Sequence, residues 1–97
     1  MNPHRGSNDD KVVLRLYVAG RAPNSVQAQA NLAAIFERYA ASDGYLLEIV
    51  DVLEEPARAL EDGVFVTPTL VKLAPTPAHI VGSLNEREKV ARLLGLR

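Results

Sequence analysis

The tightest constraint on this chain is a change of hydrophobic period at Gly20. Before it, Val12, Leu14, Leu16 and Val18 alternate with Val13, Arg15 and Tyr17, which sets an aliphatic row on one face of a β-strand. After it, Ala28, Leu32, Ile35, Phe36 and Tyr39 recur at helical spacing as a single apolar stripe. Gly20 breaks the strand, and Pro23 suits the first helical position, where a missing N–H leaves no bond unmade. The pattern predicts a helix to about residue 41, stopped at Ser42-Asp43-Gly44 with Gly44 left-handed. Residues 46–53, LLEIVDVL, read as a second strand, apolar on both faces except at Glu48 and Asp51. A helix joining two such strands predicts a right-handed, parallel βαβ unit.

Glu54-Glu55-Pro56 starts a short helix, with acids at its electropositive end, and Gly63 stops it. The run VTPTL at 66–70 puts Pro68 just ahead of a third strand, 70–74. A fourth, 79–82, follows Pro75-Thr76-Pro77, a length suited to an antiparallel hairpin. Residues 85–96 read as a closing helix, with Asn85 and Glu88 at capping-box spacing and Val90, Ala91 and Leu94 as the buried stripe. The expected order is β-α-β-α-β-β-α, a single α/β domain over 11–97 behind a polar leader, 1–10, with nothing to bury. A parallel pair, an antiparallel hairpin and helices on both sheet faces resemble the thioredoxin core. In thioredoxin-like folds the redox pair opens the first helix and faces a cis-proline loop. Here Ala22-Pro23-Asn24-Ser25 and Thr67-Pro68-Thr69 stand at those places. The resemblance thus implies a cis Thr67–Pro68 peptide, a frame without thiols, and a protein that binds rather than reacts.

The absence of cysteine from all 97 residues excludes disulfides, zinc–thiolate sites and thiol catalysis together. A formal net charge of −1 leaves no basic footprint for nucleic acid. No apolar run is long enough to span a bilayer, and the first ten residues lack a signal peptide's hydrophobic stretch, so a cytoplasmic protein is expected. As a nucleophile, Ser25 would need an activating base, and neither histidine, His4 or His79, falls in an element near it. Its expected role is to satisfy backbone N–H groups in the first helical turn. Asp51, Glu54 and Glu55 read more simply as a strand end and a helix start than as a metal cluster. The run 86–89 reads as a solvated helix face of mixed sign. No catalytic, metal-binding or cofactor-binding residue is assigned.

Five motifs carry a closer resemblance: LRLYVAG at 14–20, PNSV at 23–26, VDVLEEP at 50–56, TPTLVKL at 67–73 and IVGSLNEREKV at 80–90. Their continuous register is similar to the KaiB family, small circadian-clock proteins of cyanobacteria with relatives in other bacteria. The resemblance implies a non-enzymatic adaptor with two accessible folds, a tetrameric ground state and a thioredoxin-like monomer, differing from about Gly63 onward. It implies as partners a KaiC-type hexameric ATPase and a KaiA-like protein. By the same resemblance the strand residues Leu46, Glu48 and Val50 face the KaiA-like partner. Leu53, Glu54, Glu55, Val64 and Val66, in the segment 53–66, face the ATPase. Gly20, Pro23, Pro68 and Leu93 are expected to determine the fold. Family members often carry a basic pair at the Ala78-His79 position and glycine near Leu93. Leucine in place of glycine favours a helix by about 1 kcal/mol, so the chain is expected to rest mainly as the monomer. The competing readings are a glutathione-binding, transferase-like domain using Tyr17 or Ser25, and a purely structural oligomerisation module.

Overall fold

The structure, a computed structural model, describes residues 11–39 and 44–96. The expected leader and the helix stop at 42–43 lie outside the described residues. The elements are β1 (Val12–Val18), α1 (Pro23–Arg38), β2 (Tyr45–Asp51), α2 (Pro56–Glu61), β3 (Thr69–Ala74), β4 (Ala78–Val81) and α3 (Arg87–Leu94), in the expected β-α-β-α-β-β-α order. They build a four-stranded sheet in the order β2-β1-β3-β4. β1 and β2 run parallel, from Val12 opposite Tyr45 to Val18 opposite Asp51. β3 is antiparallel to both β1 and β4. The Thr67–Pro68 peptide is cis as expected, and Ala74–Pro75 is cis as well.

The alternation in β1 divides the core in two. Val12, Leu14, Leu16 and Val18 meet Ala28, Leu32 and Ile35 of α1 and Val90, Ala91 and Leu94 of α3. On the opposite face Tyr17 joins Val50, Val71, Ala59 and Val64 beneath the short α2. Burial of a leucine-sized side chain stabilises by about 1.5–3 kcal/mol, so these two rows hold the layers together. Gly20 has φ of 52°, and a Cβ there would come within 3.2 Å of Leu53 Cδ1. Glycine suits this left-handed turn, where any other residue would be strained and would press on Leu53.

Four local expectations change. α1 ends at Arg38, because Tyr39 turns extended (φ −117°, ψ 124°) and packs against the first core. β2 ends at Asp51 rather than residue 53. The Asp51 carboxylate accepts the N–H groups of Gly20 (3.1 Å) and Leu53 (3.0 Å), which bends the chain into a turn. The capping box does not form: Glu86 precedes α3 without a side-chain cap, and Asn85 is turned to the buried Asn31 instead. Asn31 donates to the Ser83 carbonyl (2.7 Å) and Asn85 Oδ1 (2.9 Å), and accepts from Arg87 Nε (2.9 Å). Lastly, Ser25 Oγ accepts the Ala19 N–H at 3.0 Å, tying the helix start back to the end of β1 rather than capping its own helix.

Candidate docking surface

The end of the sheet that would carry redox chemistry in a thiol protein is occupied by structural contacts. Ser25 is 1% exposed and its hydroxyl oxygen already accepts a backbone N–H. Tyr17 is fully buried, with its hydroxyl 2.5 Å from Asp62 Oδ2 and 3.0 Å from the Arg58 carbonyl. The Pro68 carbonyl accepts the Gly82 N–H at 2.9 Å, which fixes the loop to the end of β4. Among the described residues no group of three or more His, Asp or Glu is arranged to hold a metal ion.

The open chemistry lies on the β2 side. Among the described residues β2 pairs only with β1, and its outer edge has no strand beside it. Tyr45, Leu46, Leu47 and Ile49 are all exposed, between 38% and 55%. An exposed, apolar edge strand presents unpaired backbone groups to any incoming strand. Beside it, Leu47 and Ile49 form with Leu32, Ala33 and Phe36 of α1 a groove of about 420 Å³, rimmed by Gln29 and Glu37. Phe36 stacks on Tyr45 at 3.7 Å between ring centroids, which holds one end of this groove rigid.

Below the edge, a charged network joins β1, β2 and α2. Glu48 takes two 2.6 Å bonds from Arg58 and one of 3.1 Å from Arg15. Arg15 also reaches Asp62 at 2.7 Å. Arg58 is the main reason that the Glu48 carboxyl is lowered to about 2, with Arg15 adding to it. The Tyr17 hydroxyl, then Arg15, hold the Asp62 carboxyl below its ordinary range. Burial first, and then Asp62, push the Tyr17 hydroxyl up. The network fixes α2 to the sheet through Glu48, Arg58, Arg15 and Asp62.

The residues expected to bind partners divide by exposure. Leu46, Glu48, Leu53, Glu54, Glu55 and Val66 are exposed on the β2–α2 side. Val50 and Val64 are buried in the second core, because β2 alternates and because the Val64 N–H folds back onto the Ala59 carbonyl. They support the surface from beneath and are corrected from contact to core. Leu47, Ile49, Leu60 and Phe65, the last 82% exposed, lie inside the expected regions 46–50 and 53–66 without having been singled out, and the exposed Tyr45 lies just outside them. Phe65 carried a signal, an aromatic residue in a short loop between Gly63 and Pro68. Tyr45, Leu47 and Ile49 carried none, since an apolar strand face looks the same whether a helix or a partner covers it. Of the fold-determining candidates, Pro23 opens α1, Pro68 is buried ahead of β3, and Leu93 lies half-exposed on α3.

Comparison with known proteins places this surface in context. A KaiB domain model matches residues 15–96. The chain is similar, at 47% identity over 88 residues, to the circadian clock protein KaiB3 of Synechocystis sp., covering 90% of this chain and 83% of that protein. At 48% over 85 residues it is similar to the circadian clock oscillator protein KaiB of Gloeothece citriformis, covering 87% and 77% respectively. The fold is similar to the N-terminal domain of Synechococcus elongatus SasA, with a TM-score of 0.73 at 23% identity over 88% of this chain and 80% of that one. It is similar also to a mutant thioredoxin from Halobacterium salinarum, with a TM-score of 0.70 at 26% identity over 92% and 75%.

Proposed function

The chain belongs to the KaiB family, and on that premise we propose that it is a clock-related adaptor that acts by protein–protein contact and not by catalysis. The observation that carries this reading is the bare β2 edge with its exposed Tyr45, Leu46, Leu47 and Ile49. A cytoplasmic chain that catalysed nothing would still need such an edge to capture a partner by strand addition. Residues 46–50 and the groove beside them receive a KaiA-like protein. The outer side of 53–66, with Leu53, Glu54, Glu55 and Val66, docks on a KaiC-type hexameric ATPase.

The resting form in this reading is the thioredoxin-like monomer, with a tetramer of rearranged C-terminal half as the minor state. Leu93 supports that choice from within α3. Two packings of one sequence coexist only when they lie within a few kcal/mol of each other. No observation favours the glutathione-binding reading, because Tyr17 and Ser25 are buried and already hydrogen-bonded. The deciding experiment is size-exclusion chromatography with a KaiC-type ATPase at micromolar concentration. A co-migrating complex, lost on substitution within 53–66, is expected. Separate elution of the two proteins overturns the proposal.

A further inference from the structure

The stretch 45–63 holds half of the chain's 12 carboxylates, Glu48, Asp51, Glu54, Glu55, Glu61 and Asp62, against a single basic residue, Arg58. The whole molecule is almost neutral, with 11 basic residues, so this imbalance is local. β2 and α2 share one side of the molecule, because Glu48 grips Arg58 through two short bonds. Glu48 and Asp62 are consumed by arginines and Asp51 by backbone N–H groups. Glu55 lies 3.5 Å from Arg58. Glu54 and Glu61 are exposed, and among the described residues neither has an ion-pair partner. Along the same stretch and just beyond it Leu53, Leu60, Phe65 and Val66 are exposed. Leu60 and Phe65 each adjoin a residue of the hydrogen-bonded pair Ala59 and Val64, which brings them to one end of α2.

We propose that this apolar, acid-rimmed side docks a folded protein surface whose apolar contact is ringed by lysine or arginine. The inference rests on the adaptor reading and adds the chemistry of the partner. Leu53, Leu60, Phe65 and Val66 supply the dry contact, and Glu54 and Glu61 need cations opposite them. A partner with acidic or neutral surroundings would juxtapose like charges or leave carboxylates desolvated without compensation. Carboxylates that no internal cation neutralises also steer a basic partner from a distance, an effect that salt screens beyond about 10 Å at 0.1 M.

The test uses the full chain and the KaiC-type ATPase from the same source, with dissociation constants measured at 50 and 300 mM NaCl. Wild-type affinity should fall at least threefold between the two salts. Glu54→Lys/Glu61→Lys should bind about tenfold more weakly at 50 mM, with the gap closing to under threefold at 300 mM. Glu54→Gln/Glu61→Gln should fall between, and it decides the matter if the lysine variant fails a circular-dichroism check of folding. Glu86→Lys/Glu88→Lys, an equal charge change at the start of α3 where both carboxylates are exposed, should bind within twofold of wild type. Wild-type binding that is unaffected or strengthened by the reversal overturns this inference and leaves the adaptor reading intact. No wild-type complex at all overturns both.

Discussion

Tyr17 is buried over its whole length yet ends in a hydroxyl, and Asp62 makes that burial tolerable. The hydroxyl donates to the carboxylate, and Arg15 balances the carboxylate's charge. The pH consequences have opposite signs. Asp62, held below its ordinary value by Tyr17 and Arg15, contributes stability that is complete above about pH 4 and is lost as pH falls through its folded value. Tyr17, pushed up by burial and by Asp62, contributes stability that is complete below about pH 10 and is lost as pH rises through its folded value. Urea unfolding followed across pH should therefore show a plateau from roughly pH 5 to 9 with a decline at each end. Tyr17→Phe should remove this contribution to the alkaline decline and cost about 1–3 kcal/mol at neutral pH, since Asp62 loses its donor. An unchanged alkaline limb in that variant would refute the assignment.

At the scale of elements, the C-terminal segment is held by few but well-directed bonds. Asn31, 5% exposed, satisfies its amide entirely with Ser83, Asn85 and Arg87. Lys72 Nζ donates to the Leu93 carbonyl near the C-terminal end of α3. Leu84, buried between β4 and α3, sits at φ of 66°, a conformation bulky residues rarely adopt. Asn31→Leu should cost about 1–3 kcal/mol, because Ser83 and Arg87 are left without their partner. Amide exchange should then accelerate in α3 while β1 stays protected; equal acceleration in both would show that Asn31 holds the whole core rather than one segment. These elements also show what local sequence discloses. The change of period at Gly20 identified β1 and α1, and Pro75-Thr76-Pro77 marked the hairpin, since each signal lies within one window of chain. The partner of Asn85 lies 54 residues away, so its side chain read as a cap when the fold uses it as a clasp.

Across the described residues, two helices cover one sheet face and only the six-residue α2 covers the other. That imbalance leaves the β2–α2 side open, and it was only partly legible in the sequence. Resemblance pointed to regions 46–50 and 53–66, whereas which of their residues face water depends on strand alternation against a helix too short to cover them all. On the proposed reading the chain rests in its docking form and has no conformational step to complete before binding. Mixing with its partner should give one fast phase whose rate rises with concentration. A slow, concentration-independent phase would show that another form predominates.

The bare edge of β2 has a consequence for the solitary protein. Natural sheets guard such strands with lysine, proline or a bulge, and Tyr45–Asp51 contains none of the first two. Its one mid-strand charge, Glu48, is quenched by Arg58 and Arg15, so it repels nothing. Light scattering of the purified chain should climb with concentration, and Leu47→Lys should suppress the rise. By the same argument, a bound partner that covers Tyr45–Asp51 should flatten that rise as Leu47→Lys does.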